Sequence, residues 1–373
     1  MPSVSKRTNG ATTIQHTSDI QLRERLISAD VLEQAFSWLC RQRKHWPADA
    51  DVWNVRAQWR SVKQTLIHDL GNSTYRFDPM ARITKANGEI LHVWCARDAV
   101  VLKAMALVLG DVLPQSARCT HVKAHGGAKA AVRAVAEALP DNRFVIRTDV
   151  RQFYESIDQH LLIDALAKLI SDRFVLNLLW QVMRRNVTWG GLFKECQQGI
   201  SRGCPLSPLL SGFVLYQLDN TMERTGLFYV RYMDDFVILA PTRWRCRRAM
   251  KQINTELANL NLEKHPGKTF IGHIEKGFDF LGYHIHPDGL TLAKATVERF
   301  VEKATRLYEQ EPHSGALGLY VQRFTQWCNA GFGVTVDKPL LIARLNPCSD
   351  SKTLLGQLAF LSTQSTEGDY ARA

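Results

Sequence analysis

Hydrophobic and polar positions alternate between two periods along this chain, and the switches between them mark out its elements. Residues 1–20 show neither period and are expected to form a mobile tail. Helical spacing begins at Val31 and runs to Cys40, with Asp30 as the expected cap, and a second helix is expected from Val52 to Leu70. Trp53, Val55, Trp59, Val62, Leu66 and Ile67 share its apolar side, and Gly71-Asn72 stops it. A hairpin is predicted over 81–94 around Asn87-Gly88, followed by a long apolar helix opened by Arg97-Asp98. His121 to His125 read as a short strand, and Gly126-Gly127 as the turn into a helix over 128–138. Helices are further expected over 161–185, from Cys204-Pro-Leu-Ser-Pro208 to Leu218, over 242–260, and twice within 295–332. Residues 277–286 alternate as one strand, and the last forty residues carry no clear pattern.

Two strand patterns end in acids. Phe228 to Ala240 places Tyr232-Met-Asp-Asp235 between two apolar, β-prone runs, which predicts a buried hairpin with carboxylates at its tip. Phe144 to Asp149 is a second apolar run with an acid at its end, and Ser156-Ile-Asp158 then offers a helix start. Adjacent carboxylates repel each other and are costly to desolvate unless a cation neutralises them. Asp149 brought beside Asp234 and Asp235 would form an oxygen-rich site suited to two Mg²⁺ ions. Taken alone, an Asp-Asp pair is an ordinary turn; the matched context of Asp149 favours the metal site.

Composition narrows the partner. The 373 residues carry a formal charge of +11 and are 45% hydrophobic, which fits a globular chain of two or three domains with a polyanionic partner. No apolar run approaches the roughly 20 residues of a membrane span, and the first residues lack a signal peptide's apolar stretch, so a cytoplasmic setting is expected. The eight cysteines are scattered without a CxxC pair, which argues against a zinc ribbon or a disulfide framework.

In order along the chain, five motifs resemble those of the reverse transcriptase family. They are Arg147-Thr-Asp149 with Phe153-Tyr154, Ile200-Ser-Arg-Gly-Cys-Pro-Leu-Ser-Pro208, Tyr232-Met-Asp-Asp235, His265-Pro-Gly-Lys-Thr269 and Phe280-Leu-Gly282. The resemblance covers roughly residues 75–330 and implies an α+β right-hand polymerase with fingers, an antiparallel palm sheet and a helical thumb. It divides the chain into an N-terminal helical extension (21–74), fingers (75–140), palm (141–290), thumb (291–335) and C-terminal tail (336–373). By the same resemblance Asp149, Asp234 and Asp235 would hold two Mg²⁺ ions, with Mn²⁺ as a substitute, together with the Val150 carbonyl. Lys268 would act as a general acid near the leaving pyrophosphate.

Tyr154 falls where the family carries a steric gate against the ribose 2′-hydroxyl, and Phe153 beside it reads as core. Arg82 and Lys85 on the finger hairpin, with Arg202 and Gly203, would contact the nucleotide. Lys123, the Phe280-Leu281-Gly282 stretch, Arg299 and Lys303 would face template and primer. Arg299, Lys303 and Arg306 have helical spacing, with Phe300 and Leu307 available to the core; a solvated basic face is the plain alternative. The Arg41–Lys44 cluster shares that ambiguity. One departure stands out: relatives carry Gln in the slot occupied here by Arg202, which exchanges a neutral amide for a permanent charge.

The expected activity is RNA-directed DNA polymerisation from dNTPs and an RNA template, with a structured non-coding RNA as the implied partner, a DNA product and no membrane. Group II intron-like or defence-associated reverse transcriptases are the branches it most resembles. Template-independent or protein-primed synthesis on the same fold is the first alternative. An RNA-binding splicing or defence factor with secondary polymerase activity is the second.

Overall fold

The computed structural model describes residues 19–84, 88, 90–122, 124–310 and 315–332. The expectations for residues 1–18, Lys85, Lys123 and the C-terminal tail fall outside these residues. The fold is mixed α+β and divides into two compact units. One comprises the chain up to Pro114 with Asp158–Ser207, the other Gln115–Ile157 with the chain from Pro208 onward.

The first unit opens with α1 (Asp19–Ile27), α2 (Ala29–Gln42), α3 (Asp51–Ala57) and α4 (Trp59–Gly71). Ser28, rather than Asp30, caps α2: its hydroxyl accepts from the Val31 N–H at 3.4 Å, and Asp30 sits within the first turn, at the positive end of the helix dipole. The helix expected over 52–70 is two helices, because the backbone leaves helical geometry at Gln58 (φ −107°, ψ 20°). The break accompanies a flat stack of Trp59 on Phe36, with centroids 4.1 Å apart. Arg43, expected in a basic surface cluster, is buried. It pairs with Asp51 at 3.2 Å and donates to the Trp94 carbonyl at 2.7 Å, whereas Arg41 and Lys44 remain exposed.

A hairpin of β1 (Met80–Thr84) and β2 (Ile90–Val93) precedes the buried helix α5 (Ala96–Leu109). Later in the same unit come α8 (Gln159–Ala167), α9 (Arg173–Met183), β4 (Asn186–Trp189) and β5 (Leu192–Glu195). The single helix expected over 161–185 is interrupted by Asp172. Its carboxylate caps α9 by accepting from the Phe174 and Val175 N–H groups, as Asp158 caps α8. The sheet order is β2-β1-β4-β5, with the central β1–β4 pair parallel.

The second unit is built on the antiparallel sheet β6-β7-β3-β8, formed by β6 (Phe228–Tyr232), β7 (Asp235–Ala240), β3 (Phe144–Asp149) and β8 (Phe270–His273). Strand periodicity splits its core in two. Val145, Val230, Val237 and Leu239 pack against α6 (Gly127–Ala138) and a small sheet of β9 (Phe278–Phe280), β10 (Tyr283–His286) and β11 (Gly289–Leu292). The alternate residues Ile146, Phe236 and Ile238 are buried on the other face. There α12 (Arg243–Asn259) packs on β3 and β7 and buries Cys246, Ala249, Ile253 and Leu257.

Three further expectations change in this unit. Of the stretch expected as a strand, the described residues His121, Val122, Ala124 and His125 are in turns and bends, because Thr120 and His121 bond to the β6–β7 hairpin instead of to a strand partner. The helix expected to reach Leu218 breaks at Leu215 into α10 (Ser207–Val214) and α11 (Tyr216–Arg224). Residues 277–286 fold back as two strands, since Leu281 (φ 48°) and Gly282 (φ 88°) reverse the chain. A Cβ on Gly282 would lie 2.8 Å from the Trp327 ring, so both the turn and the close approach require glycine.

The short helix α7 (Phe153–Ser156) follows β3, and α13 (Lys294–Gln310) and α14 (Ala316–Phe332) complete the described chain as the two helices expected there. Phe300 of α13 stacks on Phe324 at 4.0 Å, and Trp327 of α14 stacks on Tyr283 at 4.9 Å. The Lys129 ammonium lies 3.3 Å from the Trp327 ring centroid and also donates to the Tyr283 hydroxyl. Among the described residues, no helix is long and apolar enough to cross a membrane.

Candidate active site

Register brings the acids together. Asp149, the last residue of β3, is paired with Asp235, the first of β7, and Asp234 occupies the turn before it. Both paired residues share a sheet face with Val145 and Val237, the face that carries α6. The Val150 N–H donates to the Asp234 carbonyl at 3.3 Å, tying the two strand ends across the turn.

Cations hold two of the three acids. Lys268 Nζ donates to Asp149 Oδ2 at 2.5 Å, and the Arg147 guanidinium bonds Asp235 Oδ2 at 3.1 Å and the Lys268 carbonyl at 2.8 Å. Burial, reinforced by the charge of Asp149, pushes Asp234 up to about 6. Burial also raises Asp235 to about 6, against the opposing pull of Arg147. Among the described residues Asp235 Oδ1 is buried without a hydrogen-bond partner. A buried, unsatisfied carboxylate oxygen within a set of hard oxygen donors is the chemistry that a divalent cation such as Mg²⁺ completes. The residues therefore fit the divalent metal expected of this motif.

Another group lies in the first unit. Ligand atoms of Asp78, Cys95 and Asp98 all fall within 4.8 Å of one another. Their donors and acceptors are already engaged: Asp98 accepts from the Tyr75 hydroxyl at 2.5 Å and the Asp78 N–H at 2.8 Å, and Cys95 Sγ caps α5. This is the bonding of a helix start fixed to the preceding loop.

The acidic turn is itself anchored. Met233 has φ 55°, a strained conformation for a side chain of its size. Its N–H donates to His121 Nδ1 at 3.1 Å, which leaves His121 Nε2 to donate to the Pro208 carbonyl at 2.9 Å. Its carbonyl accepts from Arg231 Nη1 at 2.7 Å. Arg231 is completely buried and paired with the equally buried Asp219, whose Oδ1 also accepts from the Tyr229 hydroxyl at 2.7 Å. Burial opposes the charge on Arg231, but Asp219 more than offsets it and the guanidinium stays protonated. Neither His121 nor Arg231 was assigned a role from the sequence. The available signal was a lone arginine inside the buried run Tyr229-Val-Arg-Tyr232, which requires a counter-charge.

The other expected residues are distributed as follows. Tyr154 is half-buried, with its ring edge-on to Phe153 and its hydroxyl donating to Met233 Sδ at 3.4 Å; Phe153 is core, as expected. Phe280 is fully buried, so only the Leu281-Gly282 turn of that motif is accessible. Arg299 is exposed, with Nε donating to the Ala295 carbonyl, and Lys303 lies 4.8 Å over the Tyr320 ring. Arg82 on β1 is half-buried, and Arg202 and Gly203 are exposed in a loop of the first unit.

Comparison with known proteins gives several matches. The chain is 26% identical over 277 residues to Protein YkfC of Escherichia coli (strain K12), covering 60% of this chain and 70% of that protein. It is 26% identical over 221 residues to the Putative COX1/OXI3 intron 1 protein of Saccharomyces cerevisiae, covering 55% of this chain but only 26% of the yeast protein. A chain of the partial Cas6-RT-Cas1–Cas2 complex superposes with a TM-score of 0.39 at 19% identity, over 64% of this chain and 42% of that one. The chain thus spans about a quarter of the yeast relative and less than half of the solved one. The family model described as reverse transcriptase (RNA-dependent DNA polymerase) matches residues 98–285, half of the chain. That span takes in both acid-bearing strands and the β6–β7 turn with Asp234, and the chain belongs to the reverse transcriptase family, whose RNA-dependent DNA polymerase domain it carries.

Proposed function

We propose that this chain extends a primer 3′ end with deoxynucleotides on an RNA template, using Asp149, Asp234 and Asp235 as its catalytic carboxylates. The observation that carries the reading is the register of Asp149 against Asp235, with Asp234 in a turn whose Met233 is bonded through both its N–H and its carbonyl. In this assignment residues 75–140 act as fingers, 141–290 as palm and 291–335 as thumb.

The three carboxylates and the Val150 carbonyl would hold two Mg²⁺ ions, which when bound supply positive charge for the attacking hydroxyl and the departing pyrophosphate. The chain's own groups do the rest. The primer 3′ oxygen forms a bond to the α-phosphorus as the bond to the β-phosphate oxygen breaks, and the hydroxyl proton is lost to water. Arg147 holds Asp235 in place while Asp234 and Asp235 are ionised. Lys268, half-exposed beside Asp149, can turn its ammonium toward the pyrophosphate oxygens and give up a proton there.

Tyr154 is proposed as the gate beneath the sugar. Tyr154→Ala is expected to lower discrimination between deoxynucleotides and ribonucleotides about 10- to 100-fold. The check is the ratio of kcat/KM for dGTP and GTP on one primer–template; an unchanged ratio would assign Tyr154 to packing against Met233 alone.

Arg202 supports a second reading, untemplated synthesis on the same fold, because a permanent charge in its loop can hold a phosphate where an amide would contact template. Purified protein given Mg²⁺, dNTPs or NTPs and a primer on a defined RNA separates the two by product sequence. DNA complementary to the RNA supports templated synthesis; DNA independent of the RNA supports the second reading.

A further inference from the structure

The helix α12 presents a basic and aromatic face that the polymerase reading does not use. Arg243, Trp244, Arg247, Arg248 and Lys251 are all exposed, with Trp244 at 67% among the most exposed large hydrophobic side chains described. At helical spacing, positions 244, 248 and 251 form one stripe and 243 and 247 the stripe beside it. The Arg248 guanidinium lies 5.7 Å from the Trp244 ring centroid. From Arg243 onward, the first acidic residue along the helix is Glu256, and it is bonded to Thr221. Arg245 differs from its neighbours: it donates to the Thr225 carbonyl at 3.1 Å and fastens the helix start to the end of α11.

Helix stability does not account for this pattern. Cations in the first turns meet the positive end of the helix dipole, and Arg243/Arg247 and Arg247/Lys251 are like-charged pairs at i,i+4. Trp244 adds a flat apolar ring to this face, with the Arg248 guanidinium beside it. An exposed aromatic ring among arginines is instead the chemistry that takes an unpaired base on the ring and the flanking phosphates on the guanidinium groups. The stretch from Arg243 to Lys251 is roughly 12 Å long, enough for about three phosphates of one strand. Because α12 packs on the sheet face opposite the one that bears Asp149 and Asp235, this surface is separate from the carboxylates.

We propose that the exposed face of α12 is a second RNA-binding surface, distinct from the polymerase site, in which Trp244 stacks on an unpaired base and Arg243, Arg247, Arg248 and Lys251 contact the adjoining phosphates. The RNA it fits has a single-stranded loop or tail. Binding there is independent of whether the carboxylates catalyse polymerisation.

The test uses the full chain without nucleotides and measures affinity for a labelled stem-loop RNA and for a fully paired RNA duplex across a salt series. Trp244→Ala is expected to weaken stem-loop binding about 5- to 100-fold, with a much smaller effect on the duplex. The double variant R247Q/R248Q is expected to reduce the slope of log K against log salt by about 1.4, that is, about 0.7 for each single-strand phosphate contact removed. Single-nucleotide addition to a saturating primer–template should be unchanged in both variants, and photo-crosslinks from thiouridine in the loop should map to the 243–251 segment. Wild-type affinity and slope in both variants would overturn the proposal. So would equal losses on stem-loop and duplex, or unchanged RNA binding with lost binding to anionic phospholipid vesicles, which would make the face a membrane contact.

Discussion

Asp234→Asn is expected to abolish nucleotide addition and, with divalent metal removed, to make the protein more stable at pH 7. The two effects have one origin. Asp234 is a partly buried acid beside Asp149, and its pKa is raised to about 6. A carboxyl group that is more easily protonated when folded than when unfolded contributes no penalty below its unfolded value near 4. The penalty grows as pH rises through the interval up to about 6 and is complete at pH 7. Two pKa units correspond to about 3 kcal/mol, and solvent on the open side of the turn reduces this to about 1–2 kcal/mol. The amide removes that penalty. It also removes a charged oxygen donor, and loss of several kcal/mol of charge stabilisation slows addition by about 10³-fold or more.

Thermal unfolding with chelator at pH 5 and pH 7, with and without Mg²⁺, checks the stability half. The variant should gain at pH 7, gain less at pH 5, and lose most of the wild-type's Mg²⁺-dependent rise in Tm. Retained activity in Asp234→Asn would refute its assignment as a catalytic carboxylate. An equal Mg²⁺ shift in both proteins would refute its assignment as a metal ligand.

Arg231→Met is expected to destabilise the protein by about 3–5 kcal/mol, because it leaves the fully buried Asp219 without its counter-charge. Denaturant unfolding should show the loss as a lower midpoint. The double variant R231M/D219L should recover most of that stability, short of the cost of leaving the Tyr229 hydroxyl without its acceptor. Activity should not recover with it. Arg231 also donates to the Met233 carbonyl, and without that bond the strained Met233 beside Asp234 and Asp235 keeps only its N–H bond to His121. A double variant that regained both stability and kcat would mean that the ion pair serves folding alone.

Much of the site was legible because strand periodicity makes register readable. An apolar run that ends in an acid, and a hairpin with acids at its tip, can pair in few ways that keep both apolar sets inside. The family resemblance rested on these same runs, and the family match includes them. What was not legible depended on partners distant in sequence. The charge at Arg231 demanded an acid, but nothing local selected Asp219. His121 looked like part of a strand because the backbone it bonds lies 112 residues away. Helix lengths were overestimated at Gln58, Asp172 and Leu215 for a related reason. Apolar spacing continues across each break, while the Asp172 cap at one, and the backbone's departure from helical geometry at Gln58 and Leu215, end the helices. The strand expected over 277–286 hid its turn because apolar positions recur on both sides of it; the phase slips at Leu281, from Phe278 and Phe280 to Tyr283 and Ile285, where the positive φ of Leu281 and Gly282 reverses the chain.

The aromatic stacking around Tyr283 sets where this chain can be cut. The family match ends at residue 285, yet Tyr283 is covered by Trp327, and Phe300 and Phe324 close the same apolar layer from α13 and α14. A fragment trimmed to the matched span would lose that roof and present Phe278, Phe280 and Tyr283 to water. Lys129 would keep its place on α6 with no indole above it. A piece that keeps this layer dry therefore extends at least to Phe332, and the two helices beyond the matched residues belong to the folding unit as fully as the strands that carry the acids.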